Sequence, residues 1–168
     1  IQLDQAGPVQ LQTGAGDITV DRALADAEVN TGSGAVRIAR IGGTGAIKNA
    51  NGDTWIGEVI GDLRVKAANG EISVDRAHAT VAAKTANGDV HLREVARGAV
   101  VAHTANGAID IGVLDGVAAR LDLNTHYGHV RNNLDAAERP EPGEGAVEIH
   151  ARTAYGDITV RRAVRAAA

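Results

Sequence analysis

The sequence predicts an all-β protein, a single-domain parallel β-helix of about eight coils, and three observations carry that prediction. A glycine-centred turn recurs along the whole 168-residue chain. Apolar and polar residues alternate on both sides of each turn, the period-2 mark of strands with one buried face. Each position of the repeat also keeps its chemistry from copy to copy, as stacked repeats require.

The turn glycines are Gly16, Gly34, Gly52, Gly70, Gly88, Gly107, Gly128 and Gly156. Successive members stand 18 residues apart as far as Gly88, then 19, 21 and 28. The clearest copies are TGAGDITV from Thr13, TANGDVHL from Thr85, TANGAIDI from Thr104 and TAYGDITV from Thr153. Aligning on glycine turns the chain into vertical files. Two and four residues beyond it stand pairs such as Ile18 and Val20, Val36 and Ile38, Ile72 and Val74, and Ile158 and Val160. Seven and five residues before it stand Val9 and Leu11, Leu63 and Val65, and Val81 and Ala83. The residues between these files are mostly polar.

A lone Asn-Gly between alternating segments would make a β-hairpin with a type I′ turn. A meander of hairpins reverses strand direction at every turn and loses the register of equivalent positions. Stacked coils keep it, each strand lying parallel on its own equivalent. Eighteen residues at ~3.3 Å give a perimeter of about 60 Å, and coils spaced ~4.8 Å apart make a rod about 35–40 Å long. Two or three short strands per coil in a triangular section suit these dimensions. The usual hand of parallel connections predicts a right-handed coil.

Composition agrees. The chain has no Phe, Met or Cys, one Trp (Trp55) and two Tyr, so Val, Ile, Leu and Ala must fill a narrow, regular interior. Without Cys there are no disulfides, thiolate metal sites or Cys nucleophiles. A net charge of −4 and a pI near 5.8 argue against general nucleic-acid binding. No run approaches the ~18 apolar residues that span a bilayer. The chain opens at Ile1, without Met and in mid-pattern, as a trimmed sequence would, and no targeting segment is visible.

The T-A-N-G-D-[VI]-x-[VL] units, from about Val9 to Val160, resemble those of bacterial β-strand-repeat proteins grouped as adhesins, a domain of unknown function of actinobacterial type. The resemblance implies an adhesive role and, with it, a cell-surface location. It brings no catalytic, cofactor or metal-binding residues. The long interval before the last copy departs from the pattern.

Four files could carry chemistry. Asn51, Asn69, Asn87 and Asn106 precede four successive glycines and predict a stacked amide ladder that stabilises the turn. Three residues before glycine, a Thr file broken at Asn49 and Ala67 reads as turn hydrogen bonding rather than as an ice-binding face. One residue after glycine, Asp53, Glu71 and Asp89 form an acidic file, read as solvated or turn-capping carboxylates, with a bridging Ca²⁺ as the sharper alternative. Four residues before glycine, Lys48, Lys66, Lys84 and His103 form a basic stripe. Pairing with the acidic file is its simplest reading, and an anionic glycan or surface polymer the alternative. With Trp55 outward on a neighbouring strand, this is the expected partner face.

His126 and His129 straddle Gly128 without a third ligand, so no zinc site is expected. No nucleophile elbow, phosphate loop or acid/base pair appears, so the chain is expected not to be an enzyme, with glycan cleavage on a β-helix as a remote alternative. The functional expectation is a structural or adhesive module that presents its side faces to a protein or surface polymer. A rod that self-assembles through its coil ends is the alternative. The segment 132–146, with Pro140 and Pro142, reads as an extruded loop, and 161–168 as a short helix or frayed tail.

Overall fold

The computed structural model describes residues 2–95, 98–114, 119–132 and 147–163. In chain order the strands are β1 (Gln2–Ala6), β2 (Val9–Ala15), β3 (Ile18–Ala23), β4 (Ala27–Ser33), β5 (Val36–Ile41) and β6 (Gly45–Asn51). They continue as β7 (Thr54–Val59), β8 (Leu63–Asn69), β9 (Ile72–Ala77), β10 (Val81–Asn87), β11 (Val90–Val95) and β12 (Ala99–Asn106). The last are β13 (Ile109–Leu114), β14 (Ala119–Tyr127), β15 (Val130–Asn132), β16 (Val147–Tyr155) and β17 (Ile158–Ala163).

All pairings are parallel, and they build two sheets. Sheet A runs β1-β3-β5-β7-β9-β11-β13-β17-β15, and sheet B runs β14-β16-β12-β10-β8-β6-β4-β2. The predicted β-solenoid is therefore present, and among the described residues it has two strands per coil and no third sheet. Equivalent residues pair directly: Val36 with Ile18 and Thr54, and Asn69 with Asn51 and Asn87. Among the described residues no helix is long and apolar enough to cross a membrane.

One core fills the space between the sheets, and its inner files are those read from the alternation, such as Ile18, Ile38, Ile56, Val65 and Val81. Each fully buried Ile, Leu or Val contributes roughly 1.5–3 kcal/mol relative to exposure. A further inner file, Ala23, Ile41, Val59, Ala77 and Val95, escapes period-2 reading. In β3, β5, β7, β9 and β11 two residues rather than one separate the second and third buried positions, whereas β13 keeps a spacing of two and its register with β11 shifts there. Thr54 interrupts an apolar file, and its hydroxyl is buried without a hydrogen-bond partner.

The turns explain the invariant glycine of the repeat. Gly70 and Gly88 have φ of 142° and 148°, where an L side chain is strained. A Cβ on either would also overlap the carbonyl oxygen of the turn glycine one coil below. Gly70 N donates to Asn87 O at 2.9 Å and so continues the stack through the turn.

Coil order is where the expectation of eight coils in sequence fails. Six coils, β2–β3 to β12–β13, stack in chain order. The next in space is the last in sequence, β16–β17, and β14–β15 lies outermost. Gly107 N donates to Tyr155 O and Gly156 N to Tyr127 O, which fixes the exchange. The physical reason is apolar content. Val147, Ile149, Ala151, Ile158 and Val160 are fully buried in the inserted coil. In the outer coil Leu121 and Leu123 are only partly covered and Val130 is 44% exposed.

Asn132 closes β15 rather than opening a loop, and 161–163 continue β17 instead of beginning a tail. The rest of the proposed loop and tail, 133–146 and 164–168, lies outside the described residues.

Candidate binding surface

The turn edge of the coil is held by side chains, and these account for three of the four files. Asn69 Nδ2 donates to Asn51 Oδ1, Asn87 Nδ2 to Asn69 Oδ1, and Asn106 Nδ2 to Asn87 Oδ1, at 2.8–2.9 Å. The amide ladder exists as expected, but the left-handed backbone is left to glycine, since no other described residue has positive φ. Tyr155 and Tyr127 extend the file by stacking, with ring centroids 5.0 Å apart.

The Thr file points inward. Thr85, Thr104 and Thr153 are buried, and their hydroxyls donate to the carbonyls of Gly70, Gly88 and Gly107 in the coil below. Asn49 does the same with its amide, donating to Gly34 O and Gly52 O at 3.0 Å. The acidic file caps the stack. Asp53 Oδ1 accepts from Glu71 N, Asp89 Oδ1 from Ala108 N and Asp157 Oδ1 from His129 N. These amides follow glycine and have no ladder partner, so each carboxylate satisfies a donor that would otherwise face solvent.

Because the aspartates serve the backbone, the expected pairing of acidic and basic files does not form. Lys48, Lys66, Lys84 and His103 lie in register on the outer face of sheet B, on β6, β8, β10 and β12. The coil exchange then places Arg152 of β16 directly beside His103. Five cationic or protonatable positions thus run unbroken across five strands. Among the described residues no ion pair reaches Lys48, Lys66, Lys84 or Arg152. His103 is half-buried. That burial, together with Lys84 and Arg152 on either side, holds its imidazolium below the ordinary value of 6.5.

Trp55 does not belong to this row. It lies on β7 in sheet A, between Arg37 and Ser73, because the Gly52 turn carries the chain round the core between Lys48 and Trp55. Arg152 is the residue that reading in chain order misses, since Asn124 separates it from His103 in the sequence file. Its signal was the closer match of TAYGDITV to TANGAIDI than to the intervening copy.

Sheet A shows the contrasting arrangement. His91 Nε2 lies 3.4 Å from Glu71 Oε1, Arg161 Nε donates to Asp110 Oδ1 at 3.1 Å, and His78 Nε2 lies 3.0 Å from Glu58 Oε1. Charges there pair across coils. No three His, Asp or Glu side chains among the described residues gather as metal ligands.

These features define a two-sheet parallel β-solenoid, cross-linked along its turn edge and carrying one row of uncompensated positive charge. The chain belongs to the Toastrack family, DUF4097, whose sequence profile matches residues 2–162. This is a β-repeat family of unknown function, and in that respect alone it matches the resemblance read from the repeats. No curated protein and no solved structure matches the chain.

Proposed function

We propose that this Toastrack domain is a non-enzymatic, adhesin-like binding module that presents the outer face of sheet B to an anionic partner. The observation that carries this reading is the row Lys48, Lys66, Lys84, His103 and Arg152, aligned in register and without ion pairs. Like charges one coil apart repel by up to about 1 kcal/mol per exposed pair, less in salt. The mutual charges of such a row work against folding, and this supports reading its use in what it attracts.

The test is a panel of immobilised anionic, neutral and cationic polymers probed with the protein and two variants. Lys66→Glu with Lys84→Glu should abolish retention on the anionic members, whereas Trp55→Ala on sheet A should leave it intact. Each polymer should be recovered at its original length. Retention lost through Trp55→Ala alone, or a shortened polymer, overturns the reading.

A further inference from the structure

The row has a geometry that narrows the partner. Its members are one coil step apart, ~4.8 Å, so five strands present charge over about 20 Å in a line perpendicular to the strands. From β6 to β12 the outer face of sheet B has no carboxylate, and on β16 Glu148 lies toward the far end of the strand from Arg152, beside Arg120, although the chain as a whole has a net charge of −4. On the turn side the row is bordered by Ala50, Ala68, Ala86, Ala105 and Ala154, and on the other mainly by Ala46, Ala82 and Val101. Beside the cations only Arg64 and, next to Arg152, His150 rise far above the sheet, and His150 is paired with Asp122. The surface is a flat apolar track with a cationic rail along its middle.

An extended acidic peptide fits this poorly, because side chains on one of its faces recur every second residue, about 6.6 Å apart. Single-stranded nucleic acid is held by aromatic stacking as well as by charge. The only Trp is on the other sheet, and the stacked tyrosines lie at the turn edge. Inorganic polyphosphate places its charges closer together than one coil step. A pyranose ring spans about one step, can lay its C–H face on alanine methyls, and can carry one carboxylate. Lysine side chains are long enough to reach a carboxylate on either edge of such a chain.

Resting on the binding reading above, we propose that sheet B binds a linear acidic polysaccharide laid along the coil axis, with carboxylates of successive sugars meeting Lys48, Lys66, Lys84 and Arg152 and a hydrogen bond from His103 between them. Arg152 provides the planar fork suited to a carboxylate, and the lysines act as point charges. The coil exchange is part of the site, because it replaces Asn124 by Arg152 as the neighbour of His103.

The experiment measures fluorescence anisotropy of end-labelled oligogalacturonates of stepwise increasing length. Affinity should climb with each sugar and level off at about five, the number of strands in the row. Lys66→Glu with Lys84→Glu should weaken binding at least ~10-fold, and the milder Lys66→Gln with Lys84→Gln should weaken it less while flattening the salt dependence. Arg152→Gln should cost about threefold and shorten the plateau by one sugar. Thermal melts should show every variant folded and none less stable than the parent.

Equal affinity for the methyl-esterified oligomer, no dependence on the row variants, or tighter binding of polyphosphate or single-stranded DNA overturns the proposal. Should oligogalacturonate fail while another anionic polymer is retained through Lys66 and Lys84, the polysaccharide is wrong and the binding face stands. Should no polymer respond to those variants, both fall.

Discussion

On sheet A, Glu71, His91, Asp110 and Arg161 engage one another across successive coils, and Glu58 does the same with His78. On sheet B the ion pairs Arg120–Glu148 and His150–Asp122 lie on the last two strands, whereas Lys48, Lys66 and Lys84 repeat the same sign and among the described residues no ion pair reaches them. Both faces belong to one stack with one register, so the difference is not imposed by the backbone. Where the outer face only has to survive, opposite charges sit one above the other and each pair adds a little stability. Along the row proposed to bind a partner, that pairing is absent among the described residues. A β-solenoid makes the distinction easy to see, because any residue repeated at the same position becomes a line of identical neighbours.

The largest expected effect falls on the turn that joins the faces. Gly88→Ala places a Cβ against Gly70 O at a φ of 148° and should lower unfolding stability by about 3 kcal/mol. Urea denaturation measures it. A loss below ~1 kcal/mol would mean that the turn relaxes and that the two faces are not rigidly coupled. Next comes the amide ladder. Asn87→Ala removes the bonds to both Asn69 and Asn106 and should cost about 1 kcal/mol, with little effect on polymer binding.

Most of this was legible in the sequence because the repeat is strict. Eight glycines and period-2 files located both strands of every coil, and the Asn ladder followed from one residue recurring at one offset. Three things were not legible. In sheet A the file of Ile41 and Val59 stayed hidden, because the buried spacing there changes locally from two to three. The exchange of the last two coils depends on which has more apolar surface to bury, a comparison of Leu121, Leu123 and Val130 with Ile149, Ile158 and Val160 rather than a pattern. Trp55 was assigned to the lysine face because adjacency in sequence across a turn resembles adjacency in space. The coil carries the chain to the opposite sheet instead.

The charge contrast is tested by opposite signs. Asp110→Asn removes the partner of Arg161 and should destabilise by roughly 0.5 kcal/mol, since both groups are partly exposed. Lys66→Gln removes two like-charged neighbours and should stabilise by roughly 0.3 kcal/mol, a gain that fades in high salt. Destabilisation by Lys66→Gln would show that the row helps the fold, and the functional reading of it would lose its main support.

The smallest effect separates the free face from the occupied one. Burial, then Lys84 and Arg152, depress the His103 imidazolium below 6.5, while His150 on the neighbouring file is paired with Asp122. The folded chain therefore takes up this proton less readily than the unfolded chain. The stability it contributes is complete above pH 6.5 and declines as pH falls through 6.5 and then through the lower folded-state value. His103→Gln should flatten that part of the stability curve of the free protein. A carboxylate laid over the row offsets Lys84 and Arg152 and so favours the protonated ring, which reverses the sign. Affinity for oligogalacturonate should rise on acidification by less than tenfold per pH unit, the limit for one proton, and His103→Gln should remove the rise. If acid weakens stability and affinity alike, the bound carboxylates do not lie next to His103, and the polymer follows a different track across sheet B.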